Sequence, residues 1–178
     1  MMARTTVVLP MAVAALAAWP HTVAAQHDHA ASPYVDLSGR VIKALAPEEV
    51  AGLLAGDGLG FALSAELNGV PGPKHVLELA DGLALSHEQR EAVEAIRVRM
   101  TDEARKLGGE IVDAETRLDH MFAQGHASAE GVREATVTIG ELRGRLRAAH
   151  LTAHLETARI LSAEQVEAYA RLRGYAGG

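Results

Sequence analysis

Apolar side chains in the second half of the chain fall on two evenly spaced stripes. Met100, Ala104, Leu107, Ile111, Ala114, Leu118 and Met121 recur at alternating intervals of four and three residues, and Val132, Ala135, Ile139, Leu142, Leu146, Ala149 and Ala153 do the same. A mean period of about 3.5 residues keeps each stripe on one side of a helix and lets two helices coil around each other. Gln124, Gly125, His126, Ala127 and Ser128 separate the stripes. The glycine suits a helix stop and the serine the next helix start. The pattern predicts a long antiparallel helical hairpin with its tip near His126.

One short phrase occurs twice, as Leu85-Ser86-His87-Glu88-Gln89 and as Leu161-Ser162-Ala163-Glu164-Gln165. Serine followed three residues later by glutamine, ahead of an apolar periodic run, is the reciprocal capping box that opens a helix. The two copies frame the hairpin. In front of them the chain is broken more often. Pro47, Glu48 and Glu49 suit the first turn of a helix. Residues 52–60 are rich in glycine, a short helix is expected from Phe61 to Leu67, and another starts at Pro73 and stops near Gly82. Residues 46–84 therefore read as a cap of short helices, and residues 85–178 as the hairpin with a carboxyl-terminal helix.

The first twenty-five residues combine Arg4, an apolar run from Val7 to Trp19, and small residues at Ala24 and Ala25. That run is too short for a membrane span and reads as a cleaved secretory signal, residues 1–25. Residues 26–45, with His27 and His29 but no periodicity, are expected to be a flexible arm. Export from a Gram-negative cell would make the product periplasmic, with no membrane insertion after cleavage.

Without Arg4 the chain carries 16 basic and 23 acidic residues, a net charge of −7 with neutral histidines. That balance argues against nucleic acid as a partner. Aromatic residues make up only 3 % of the sequence and cysteine is absent, which favours an all-α fold and excludes disulfide and thiol chemistry. No nucleophile motif or glycine-rich phosphate loop is present, so the protein is expected not to be an enzyme.

Histidine carries the remaining chemistry. His150 and His154 are four residues apart and share a helix face, the spacing at which two imidazoles hold one divalent ion. No glutamate follows His150, so the metalloprotease phrase is not formed. The hairpin register sets His150 near Asp102 and Glu103, and His154 near Met100 and Arg97. Met100 or Glu103 could complete a site, with His75 approaching from the preceding short helix. Zinc, nickel, cobalt and copper all suit such donors. The same register sets Gly108 level with Gly144, one turn from Gly140, which points either to close backbone approach or to simple tolerance in a long exposed helix.

The paired Leu-Ser-x-Glu-Gln phrases around a helical hairpin, in an exported chain without cysteine, resemble the CpxP/Spy family of periplasmic stress proteins over roughly residues 75–175. The likeness is to its heavy-metal branch, which includes CnrX and ZraP. Family phrases carry threonine where this chain has Ser86 and Ser162, which keeps the capping chemistry. The resemblance implies a curved hairpin that forms a homodimer, a role in heavy-metal sensing or resistance, and ATP-independent protection of unfolded clients. An alternative is a regulatory module that binds no metal and restrains a membrane-bound sensor kinase or anti-sigma factor. Metal ligands of the branch precede each phrase. His75 matches the first early histidine, but Leu79 stands at the second. His154 matches the late histidine across a one-residue gap, while Thr157 or Ala158 stands where a methionine would be. His150 is then the substitute ligand.

Overall fold

Alanine, leucine, glutamate and arginine dominate the sequence from Ser86 onward, and these residues lose little freedom in a helix. In the computed structural model, which describes residues 32–175, they build two long helices. The described residues form a 3₁₀ turn at Val35–Leu37 and six α-helices: α1 (Pro47–Ala55), α2 (Leu63–Glu66), α3 (Pro73–Glu78), α4 (His87–Ala123), α5 (Ala129–Ile160) and α6 (Ala163–Leu172). No strand occurs among the described residues. At 37 residues, α4 extends for about 55 Å. The expected signal sequence, His27 and His29 lie outside the described residues.

Each boundary of the long helices has a local cause. Ser86 accepts a hydrogen bond from the Gln89 amide while the Gln89 side chain accepts one from the Ser86 amide, and Ser162 and Gln165 repeat the arrangement at α6. Ser128 caps α5 by accepting from the Gly131 amide at 3.1 Å. Gly125, at φ +68°, turns the chain after α4. Pro47 and Pro73 occupy first-turn positions of α1 and α3.

Helices α4 and α5 pack along each other. Arg99 pairs with Glu156 at 2.6 Å, and Glu103 with Arg145 at 3.9 Å, so earlier residues of one lie beside later residues of the other. Every position of the two predicted stripes is buried or half-buried. Ala104, Leu107, Ile111 and Ala114 meet Ile139, Leu142 and Leu146 in a core that Leu53 of α1 completes. Ile42 and Leu45 join the same core, so the end of the expected 26–45 arm is packed against the helices rather than loose. A second cluster of Val76, Leu83, Val93, Leu161 and Tyr169 ties α3 and α6 to the start of α4.

Gly108 marks where α1 crosses α4. A Cβ at this position would land on the carbonyl of Leu53, so the close approach is between α1 and α4 rather than between the long helices. Gly140 and Gly144 have open space where a Cβ would go, which is the tolerance alternative. No helix among the described residues is long and apolar enough to cross a membrane.

Candidate functional site

Glu66 of α2 and His75 of α3 come together beside His154 of α5, one turn after His150 on the same helix. Phe61, at the edge of the first cluster, stacks on His150 with ring centroids 5.9 Å apart. Tyr169, from the second, is fully buried and donates its hydroxyl to Glu66 Oε1 at 2.6 Å. Glu66 closes α2 and is itself buried.

Four groups converge on one oxygen of that carboxylate. Besides Tyr169, the Tyr175 hydroxyl donates to Glu66 Oε1 at 3.0 Å and Arg173 Nε at 3.2 Å, while His75 Nδ1 stands 3.4 Å away. Burial pushes the Glu66 carboxyl upward, but the two tyrosine hydrogen bonds and the charges of His75 and Arg173 outweigh it and hold the group below its ordinary range. Burial and the bond to Glu66 push the Tyr169 phenol well above its ordinary value. Glu66 is thus an anion at neutral pH, and it clasps the segment after α6 to α2 and α3.

The second oxygen differs. Glu66 Oε2 is buried and accepts no hydrogen bond, and His154 Nδ1 stands 3.9 Å from it.

His150 and His154 share a face of α5, as their spacing implies, and both are buried. His150 Nδ1 lies 3.0 Å from the carbonyl of Leu146, and His154 Nδ1 lies 2.8 Å from the carbonyl of Val70. A carbonyl only accepts, so each Nδ1 carries a proton, and in the neutral ring Nε2 keeps its lone pair. The Nε2 of His150 is buried without a partner, and the ring of His154 packs against Gly72, where no side chain larger than hydrogen fits. Burial lowers the His154 pKa, opposed by the Val70 carbonyl and Glu66 and reinforced by His150 and His75. His154 is therefore neutral at pH 7.

A cleft of about 740 Å³ opens beside this cluster, and Glu66, His75, Met100, His150 and His154 all line it. Four of the five predicted donors thus share one cavity. The fifth, Glu103, does not: it is exposed on a separate groove between α4 and α5, where it pairs with Arg145. Among the described residues no group of three or more histidine, cysteine, aspartate or glutamate side chains is arranged to hold a metal ion. The donor chemistry of the cleft fits a transition metal, with imidazole nitrogens fixed by carbonyls behind them. The present side-chain positions do not gather a full ligand set.

Glu66, Tyr169, Arg173 and Tyr175 were not among the residues singled out by sequence. Their only sequence signal is that Tyr169 and Tyr175 are two of the few aromatics in the sequence.

Comparison of the chain with protein-family models, with characterised proteins and with solved structures finds no match in any of the three. What stands is a class: an all-helical protein built on a packed pair of long helices, with a polar cluster under a cap of short ones.

Proposed function

We propose that this protein is an exported, metal-responsive stress protein in which the long helices form an antiparallel hairpin and two copies associate. The observation that carries the reading is the paired state of His150 and His154. Both rings spend Nδ1–H on a backbone carbonyl, which leaves two Nε2 lone pairs on neighbouring turns of one helix. His75, Met100 and Glu66 line the same cleft and are the sources of further donors. Zinc, nickel, cobalt and copper are the ions that suit imidazole, thioether and carboxylate together. The bound ion would supply a charge that pulls the cap and α5 together, a structural change rather than a reaction.

ATP-independent protection of unfolding periplasmic proteins is the accompanying activity. The alternative, a regulator that restrains a membrane-bound sensor kinase or anti-sigma factor without metal, draws on the exposed Val98, Phe122, Val137 and Leu155 of the long helices, which suit a protein-facing surface.

Calorimetric titration of the processed protein with each metal tests the reading. Micromolar binding that weakens at least tenfold in His150→Ala or His154→Ala, in variants whose circular dichroism is unchanged, supports it. Equal binding by wild type and both variants rejects the metal half. Capture of one membrane partner, with no suppression of client aggregation, favours the regulator.

A further inference from the structure

The cleft beside Glu66 contains two buried acceptors that nothing in the protein satisfies. Glu66 is 6 % exposed and His150 is 3 % exposed. Glu66 Oε2 and His150 Nε2 accept no hydrogen bond, and both residues line the same cavity. Leaving such groups unpaired is costly, which is why buried polar atoms in native proteins nearly always have partners. Both atoms are acceptors, so what they lack is a donor.

We infer that the cleft binds a small organic ammonium ion with an apolar body. An ammonium carries three donors, and its charge suits a carboxylate whose second oxygen is unpaired. At Glu66 Oε2 an anion would meet like charge. Of the protein's own cations that line the cleft, Arg97 bonds Glu94 and Arg105 bonds the carbonyl of Ala55, while Lys74 is exposed. A single water molecule takes up about 30 Å³, and the cleft holds about 740 Å³, within the range of small-molecule sites. Leu59, Leu63, Leu77 and Met100 give the cavity its apolar wall, which sets the body of the ligand. This inference does not depend on metal binding, although His150 serves both.

Benzylamine hydrochloride is the probe, titrated into the processed protein in the presence of a chelator and followed by calorimetry and by chemical shifts of residues around the cleft. Benzyl alcohol and sodium benzoate are the neutral and anionic controls. Saturable binding of benzylammonium at least tenfold tighter than either control is the expected result. Glu66→Gln should abolish that preference. Because Glu66 also holds the tyrosines, a second variant is needed: Leu63→Arg, at an exposed position on the cleft, should weaken benzylammonium at least tenfold without changing the circular dichroism. Equal binding of amine and alcohol, tighter binding of benzoate, or full binding by Leu63→Arg overturns the inference. A parallel titration with zinc alone separates the two readings. Amine binding without zinc binding rejects only the metal proposal, and zinc binding without amine binding rejects only this one.

Discussion

The side-chain amides of Gln89 and Gln165 hydrogen-bond to each other in both directions, at 2.9 and 3.0 Å. Each Oε1 also accepts from the backbone amide of its own capping serine, Ser86 at 3.1 Å and Ser162 at 2.9 Å. Each Nε2 also donates across the structure, Gln89 to the carbonyl of Ile160 and Gln165 to that of Leu83. The two copies of the repeated phrase therefore meet, and every hydrogen-bonding valence of both amides is used. Glutamate at either position would preserve the cap but has no hydrogen to give its partner.

That lock predicts strong coupling. Gln89→Ala and Gln165→Ala should each lose about 1–3 kcal/mol, the sum of a weakened cap and lost hydrogen bonds. A double-mutant cycle should give a coupling of about 1 kcal/mol or more. Gln89→Glu should behave like the alanine variant although it keeps the capping oxygen. Urea denaturation of the wild type and these four variants checks this, and additive losses in the cycle would show that the mutual bond contributes nothing.

The two predicted stripes, the helix stop at Gly125 and both capping phrases were legible because each is a local pattern that repeats or sits at a fixed offset. The cap was not legible to the same degree. Ile42 and Leu45 enter the core from a segment too short to show a period. Glu66 stands in a four-residue helix, and its partners Tyr169, Arg173 and Tyr175 come from more than one hundred residues away. Spacing along one helix did reveal that His150 and His154 share a face. It could not place Glu103, because the small shift between facing helices that decides whether a side chain points at a cleft or a groove is set by packing.

Glycines in the long helices should respond to alanine with opposite signs. At Gly144 a methyl group enters open space, and the gain in helix propensity should stabilise the protein by about 1 kcal/mol. At Gly108 it would meet the Leu53 carbonyl, which belongs to a backbone that cannot swing aside. Gly108→Ala should lose about 1–3 kcal/mol through overpacking. Thermal denaturation of the pair settles it, and stabilisation by both would mean that α1 does not press on α4.

Removal of one hydroxyl should loosen the clasp around Glu66. Tyr169→Phe leaves the apolar packing of the ring but takes away a hydrogen bond to a buried anion, worth about 1.5–3 kcal/mol. Tyr175→Phe should lose less, since Tyr175 is half-buried and Arg173 and Tyr169 remain on the same oxygen. Hydrogen exchange should locate the change: amides of α6 should exchange faster in Tyr169→Phe, while those in the middle of α4 should not. Uniform acceleration along the chain would mean that Glu66 supports the whole fold and not the attachment of α6.

Acid should destabilise the metal-free protein in two stages. His154 has a folded pKa below the ordinary 6.5, so the unfolded chain takes up a proton first, and stability present above about pH 6.5 declines as the pH falls past it. Glu66 has a folded pKa below the ordinary 4.5, so its contribution is complete above that value and is lost as the pH falls further. Both groups act in the same direction, and neither predicts a loss on the alkaline side of neutrality. Denaturant midpoints measured from pH 8 to pH 3 with a chelator present should therefore fall below pH 6.5 and again below pH 4.5. His154→Gln should remove the first decline, and Tyr169→Phe should shrink the second by weakening the bond that keeps Glu66 ionised. A flat profile between pH 7 and pH 5 in the wild type would mean that His154 is not held neutral by its burial.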